Sequence, residues 1–172
     1  DNYHYYIMTH LESDDDLSNF NLTMDQAAEA DEEAWNKVWD KFEGTYSSNN
    51  SFLLYCVKEL RYMPKKYDVD QAIKHYIDFS FMYIKVGKQT QFKALLKKLV
   101  ELYTENGVDL NLTTYYGGFG TEQPMYLVTQ IGKSRLDFWT KYYTAMKKLN
   151  ADNSEQNLWD SMLKTMRDVE YN

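Results

Sequence analysis

The chain has 172 residues, a net charge of −7 and 44% hydrophobic residues, which is enough for one domain with its own core. Its 7 glycines and 2 prolines are too few for the turns of a typical all-β sandwich or barrel, so the composition favours helices. No apolar run approaches the roughly 18 residues of a membrane span, and no signal peptide is visible in the acidic N-terminal stretch. We therefore expect no membrane span.

Acidic residues are concentrated near the N-terminus. Residues 1–43 contain 12 acidic and 2 basic side chains, a net charge of −10, whereas the rest of the chain contains 14 acidic and 17 basic ones. A segment with this charge repels nucleic acid and anionic membranes, so neither is expected as a partner. It can instead contact a basic protein surface or keep the molecule soluble.

The first predicted boundary separates an acidic and aromatic arm, residues 1–22, from a single helical domain, residues 23–172. Residues 5–11 have the pattern of a short helix, which the aspartates at 14–16 end or loop out. A solvated run of charges is the expected role of those aspartates, because they lack the spacing of an EF-hand calcium loop.

One helix is predicted from about residue 23 to residue 42. Thr23 and Gln26 have the spacing of a capping box. Apolar residues from Ala27 to Phe42 then recur at three- and four-residue steps, which is typical of one buried helix face. Gly44 stands where a helix C-cap belongs.

Three further helices are predicted before residue 106, at about 51–62, 70–86 and 89–105. The first ends before Met63-Pro64, because the residue before a proline avoids helical geometry. The third has the clearest amphipathic pattern, and Gly107 follows it as a C-cap.

The C-terminal part is predicted to contain a loop of about fifteen residues and three helices, at about 124–131, 134–149 and 155–169. Pro124 suits the first position of a helix. No strand is predicted. The expected fold class is therefore all-α, with about seven helices in sequential antiparallel pairs.

Two motifs resemble the ankyrin repeat. Gly107-Val108-Asp109-Leu110-Asn111 is similar to the turn that opens each ankyrin hairpin, and Gln123-Pro124-Met125-Tyr126-Leu127-Val128 followed by Gly132 is similar to the inner helix and the glycine after it. Asp109 and Asn111 would bond the backbone of their own turn. The resemblance covers residues 70–150 and implies a short ankyrin-like stack with extra N-terminal helices.

The chain departs from the ankyrin pattern at several positions. Tyr126 replaces the usual histidine and Gln123 the usual threonine, and the loop with Gly117, Gly118 and Gly120 is longer than the family's hairpin. An irregular helical bundle is the alternative. In the ankyrin family, partners bind the hairpin loops and the concave face of the inner helices, which corresponds here to four predicted partner-binding residues: Tyr115, Tyr116, Phe119 and Tyr126. Three of them lie on the long loop, which either exposes them for recognition or buries them.

No catalytic residue, cofactor or metal ligand is predicted. The glycines at 117–120 lack the Gly-Lys-Ser/Thr ending of a phosphate-binding loop. His4 and His10 do not have the four-residue spacing of a metal pair on one helix face, and His75 is expected to be a packed or surface residue. Cys56 is the single cysteine of the chain and is expected to be an inert buried thiol.

The predicted function is a non-catalytic protein–protein interaction module that binds another protein. The lone cysteine favours a reducing compartment such as the cytoplasm. The Asn-, Lys- and Tyr-rich composition suggests a microbial or viral effector that is delivered into a host cell. Two alternatives remain: a helical-bundle inhibitor or effector that binds a basic protein through its acidic N-terminal region, and a helical enzyme that uses His75. The sequence predicts no oligomeric state.

Overall fold

The chain combines helices with a β-sheet, so the all-α prediction is wrong. The computed structural model describes residues 9, 11, 13–45, 50–64, 76–150 and 153–171. The chain divides into two compact units, Asp1–Asn49 and Asn50–Asn172, which we call the N-terminal unit and the sheet unit.

Five helices and five strands are defined within the described residues. The helices are α1 (Asp14–Ala30), α2 (Glu32–Asp40), α3 (Gln89–Asn106), α4 (Arg135–Leu149) and α5 (Ser154–Leu163), with a 3-10 turn at Lys58–Leu60. The strands are β1 (Leu54–Cys56), β2 (Tyr76–Ile84), β3 (Thr113–Gly117), β4 (Met125–Gly132) and β5 (Met166–Tyr171). No helix among the described residues is both long and apolar enough to cross a membrane.

Two helices form the described part of the N-terminal unit, where one was predicted. Ser13 and Asp16 form the capping box of α1, and the Asp31 side chain caps α2 by accepting a hydrogen bond from the Ala34 amide at 2.9 Å. Thr23 lies inside α1, and its hydroxyl donates to the Asn19 carbonyl. The predicted capping box at Thr23 is therefore wrong, and the predicted helix at residues 5–11 falls largely outside the described residues.

The sheet has the strand order β1-β3-β4-β2-β5, and every neighbouring pair is antiparallel. Its central strand β4 places Tyr126 opposite Met82 of β2 on one side and opposite Tyr116 of β3 on the other. Side chains alternate between the faces of a strand, so these three residues lie on one face. Helices α3, α4 and α5 contribute their buried residues to the same face.

The main core lies between that face and the helices. Its buried side chains include Met82 and Ile84 of β2, Val128 of β4, and Phe92, Leu96, Phe138 and Met162 of the helices. A second cluster lies on the opposite face, where Phe81, Met125 and Leu127 are buried and Phe52, Leu54 and Tyr115 pack against them. The sheet therefore buries side chains on both faces.

Three segments predicted as helices are extended instead. Residues 51–62 contain β1 and the 3-10 turn, residues 76–84 of the predicted helix 70–86 form β2, and residues 125–132 form β4. The rest of the second segment lies outside the described residues, apart from 85 and 86. A strand that is buried on both faces reads as a nearly continuous apolar run, which periodicity alone does not distinguish from a buried helix. Pairing with strands distant in sequence made these segments extended rather than helical.

The strongly amphipathic segments were predicted correctly. Helix α3 matches the predicted 89–105, and Gly107 follows it with a left-handed φ of 55°. Helix α4 matches the predicted 134–149 and is capped by the Ser134 hydroxyl. The last predicted helix, 155–169, is too long, because α5 ends at Leu163 and the chain continues as β5.

The turn that resembles an ankyrin motif makes different contacts from those expected. The Asn111 side chain is fully buried and accepts a hydrogen bond from the Ile131 amide of β4 at 2.7 Å, while Asp109 pairs with Lys141 of α4. These side chains thus connect the turn to other elements. The segment from Gln123 to Val128 enters a strand, whereas the family has a helix there. The relationship to ankyrin repeats stays a prediction.

Candidate functional site

An open cleft of about 620 Å³ lies between the start of α3 and strands β3 and β4. Six residues from four parts of the sheet unit line it: Val57, Gln89, Thr90, Lys93, Tyr116 and Tyr126. We call this site the cleft. It contains two of the four predicted partner-binding residues.

Strand register brings Tyr116 and Tyr126 together. The two residues are direct partners across the β3–β4 pair, and their ring centroids are 5.2 Å apart in an edge-to-face arrangement. The Phe92 ring of α3 lies 5.2 Å from the Tyr126 ring. Tyr126 is therefore only 5% exposed, whereas Tyr116 is 37% exposed. One tyrosine is fixed in the floor of the cleft and the other forms its partly exposed wall.

A surface ion pair borders the cleft. The Lys93 ammonium lies 2.8 Å from the Glu59 carboxylate, and this hydrogen bond lowers the pKa of Glu59 and raises the pKa of Lys93. Both side chains are about half exposed, so the pair contributes little to stability. Burial raises the pKa of the Tyr126 hydroxyl, while the nearby Lys93 charge opposes that rise. The cleft therefore combines neutral hydroxyl groups with one ammonium group.

The other two predicted residues lie outside the cleft. Tyr115 points to the opposite face of the sheet and packs against the second cluster, so it is partly buried. Phe119 lies in the connection between β3 and β4 and is 83% exposed. The sequence predicted that the aromatic residues of this segment are either exposed or buried. Phe119 is exposed and Tyr115 is partly buried, so each alternative holds for one residue.

The β3–β4 connection is held by a dense set of hydrogen bonds. The Leu53 amide donates to the Phe119 carbonyl at 2.9 Å, and the Gly118 amide donates to the Leu53 carbonyl at 2.8 Å. The Gln123 side-chain amide donates to the carbonyls of Gly117 and Gly118, and the Thr121 hydroxyl donates to the Gly118 carbonyl. An exposed Phe119 ring is therefore presented by a fixed backbone.

A group of ionisable side chains, which the sequence did not reveal, lies where β2 meets the helices. Burial raises the pKa values of Asp78 on β2 and Glu155 on α5. Burial and the charges of these two carboxylates raise the pKa of Tyr142 on α4 to about 12. Tyr76 and Ser80 donate hydrogen bonds that stabilise the Asp78 carboxylate. The alternation Tyr76-Asp78-Ser80 would have been a signal only if the segment had been recognised as a strand.

Asp78→Asn is expected to stabilise the protein at neutral pH. The folded pKa of Asp78 lies above its ordinary value of 3.8, so wild-type stability falls as the pH rises through the interval between the two values. The asparagine does not ionise, and its side-chain carbonyl can still accept from Ser80 and Tyr76. Urea denaturation should give the variant a higher midpoint at pH 7 and a smaller advantage at pH 3.5. The exposed Glu101→Gln is the control, and an equal gain there would contradict the prediction.

The single cysteine and the three histidines were considered as candidate reactive or metal-binding groups. Cys56 is exposed on β1, so the prediction of a buried thiol is wrong. His4, His10 and His75 lie outside the described residues. Among the residues that the structure describes, no group of three or more His, Cys, Asp or Glu side chains is arranged to hold a metal ion.

The chain was compared with known families, sequences and structures. No protein-family model, no curated protein sequence and no solved structure matches it.

Proposed function

We propose that this protein is a non-catalytic protein–protein interaction module whose partner contacts Phe119 and the neighbouring Tyr116. The observation that carries the proposal is the 83% exposure of Phe119 on a hydrogen-bonded connection. An exposed phenylalanine forgoes about 1.5–3 kcal/mol of burial free energy. A rigid aromatic anchor recovers that free energy on binding at a low entropic cost.

The charge distribution supports a protein partner rather than nucleic acid. The N-terminal unit is strongly acidic, while the sheet unit is only slightly basic, so neither unit has the high net positive charge that favours binding to a phosphate backbone. An effector that acts on a host or cognate protein in a reducing compartment agrees with the composition.

A second candidate function is binding of a basic protein through the N-terminal unit. Helix α2 has no buried residue, and Val38, Trp39 and Phe42 are about half exposed. The Trp39 ring lies 5.8 Å from the rings of both Trp35 and Phe42, so the aromatic groups form one stripe. The acidic residues around this stripe complement a cationic groove that accepts an amphipathic helix.

Site-specific photo-cross-linking distinguishes the two candidates. A photoreactive phenylalanine analogue is placed at Phe119, at Trp39 or at the control position Leu136, which is 79% exposed on α4. We expect one discrete cross-linked protein from position 119 in native or host lysate, competed by unlabelled wild type and not by Phe119→Ala. A discrete product from position 39 that weakens with salt would instead favour the acidic helix. Equal products from all three positions would contradict both.

A further inference from the structure

Helix α3 starts at the cleft without a side-chain cap. Lys88 occupies the N-cap position and makes no capping hydrogen bond, and the first turn contains no acidic residue. In contrast, α2 and α4 are capped by Asp31 and Ser134. The first amide groups of a helix have no acceptor within the helix and carry a partial positive charge. The first two helical residues of α3, Gln89 and Thr90, line the cleft.

The hydroxyl of a largely buried tyrosine, Tyr126, borders the same space. Tyr126 is 95% buried and lines the cleft. Its hydroxyl has no hydrogen-bond partner among the residues that the structure describes. Lys93 lines the cleft beside Tyr126, and the charges of Lys93, Tyr116 and Glu59 all influence the pKa of this hydroxyl. The ring is buried, but its oxygen is not among the buried side-chain atoms that lack a partner, so the hydroxyl reaches the open cleft and can donate a hydrogen bond to a ligand there.

Lys93 supplies the cationic group. It lies in the second turn of α3, borders the cleft and contacts Glu59 through one hydrogen bond. An ammonium group has three donors, so two remain for other acceptors. Glu59 is itself influenced by Lys97 one turn further along the helix, so it retains a cationic neighbour when Lys93 turns towards a ligand.

We propose that the cleft binds an oxyanion, the phosphate or carboxylate group of a ligand with an apolar body. The helix amides at Gln89 and Thr90, the Tyr126 hydroxyl and the Lys93 ammonium donate hydrogen bonds to its oxygens. Helix N-termini favour anions through both these free amides and the helix dipole. Val57 and the partly exposed Tyr116 ring form an apolar wall for the body of the ligand.

This inference goes beyond the proposed function, because the cleft can bind a small oxyanion whether or not Phe119 contacts a protein. Its test therefore uses small probes and no protein partner. Glu59 opposes an anion, since it is a like charge that also occupies one donor of Lys93. Replacing Glu59 with a neutral glutamine should consequently strengthen binding at the cleft.

The test is a titration of the full chain, followed by amide chemical shifts in NMR, with phenyl phosphate, benzoate and inorganic phosphate at constant ionic strength. We expect the amides of residues 89–91 to shift. Tyr126→Phe and Lys93→Met should each weaken phenyl phosphate binding about tenfold, and Glu59→Gln should strengthen it several-fold. Tyr126→Phe keeps the ring contacts, so its fold should be unchanged, and Lys93→Met tests the same site at an exposed position.

Matched controls are Tyr143→Phe, an exposed tyrosine on α4, and Lys98→Met on the exposed side of α3; both should bind like wild type. Phenyl phosphate or benzoate binding more tightly than inorganic phosphate would identify a ligand with an apolar body. Tighter binding of inorganic phosphate would support the oxyanion site but overturn the apolar body. Absent shifts at residues 89–91, or equal affinity in wild type, Tyr126→Phe and Lys93→Met, would overturn the proposal.

Discussion

Phe138→Ala is expected to lower the free energy of unfolding of the sheet unit by about 3–5 kcal/mol, the usual cost of truncating a buried phenylalanine. Phe138 is 1% exposed, and its ring lies 5.3 Å from that of Tyr76 on β2 and 5.2 Å from that of Trp139. The ring therefore connects α4 to the sheet. The substitution removes these contacts and leaves a cavity that closely packed neighbours fill only in part.

Urea denaturation measures this loss. With a denaturant dependence of roughly 2 kcal/mol per molar urea, the midpoint should fall by about 2 M. Tryptophan fluorescence in a Trp35→Phe/Trp39→Phe background reports on Trp139 and Trp159 of the sheet unit. Phe119→Ala makes the same chemical change at an exposed position and should shift stability by less than about 0.5 kcal/mol. Similar losses of stability in Phe138→Ala and Phe119→Ala would show that the loss does not depend on burial in the core.

The same pair of residues links stability to function. Phe138 is in the core, where its loss should destabilise the fold, while Phe119 is on the surface, where its loss should leave the fold intact and remove the proposed partner contact. A binding defect in Phe119→Ala can thus be attributed to recognition rather than unfolding. The contrast is direct because both changes delete one benzyl group.

The sequence correctly predicted those elements whose conformation is determined by residues close to one another in the chain. Helix α3 repeats apolar residues at helical spacing, and Gly107 ends it, so its bounds follow from neighbours within a few residues. Strand β2 is different. Its residues Phe79 and Phe81 lie on one face, while Met82 and Ile84 lie on the other. The apolar pattern of the segment therefore fits a buried helix as well as a strand. Only its pairing with β4 and β5 distinguishes the strand from a helix.

The candidate cleft was predictable only in part for the same reason. Tyr116 was selected as an aromatic residue of the long loop and Tyr126 through the ankyrin resemblance, but their contact depends on the register of the β3–β4 pair. Lys93 and Glu59 come from elements that are distant in sequence, and neither their ion pair nor the orientation of the Tyr126 hydroxyl leaves a local signal. Sequence can nominate such residues by type. Geometry then determines which of them share a site.

Gly120→Ala is expected to destabilise the β3–β4 connection by about 3 kcal/mol or more. Gly120 has a φ of 81°, and a Cβ added there would lie 2.5 Å from the Ser51 carbonyl oxygen. The positive φ alone costs a residue with a side chain about 1–2 kcal/mol. The steric conflict adds to that cost, because the neighbouring atom belongs to the backbone and the Leu53 hydrogen bonds to Phe119 and Gly118 restrict its movement.

Gly87→Ala separates the two contributions. Gly87 has nearly the same φ, 82°, but a Cβ there would have no atom within 4 Å, so this variant should lose only the conformational cost of about 1–2 kcal/mol. The difference between the two urea midpoints then measures how tightly the connection packs against residues 51–53. If both variants lose the same free energy, the connection accommodates the added Cβ atom without further cost. A rigid presentation of Phe119 would then no longer support its role in binding. If Gly120→Ala loses more and also weakens cross-linking from position 119, rigidity and recognition have the same structural origin.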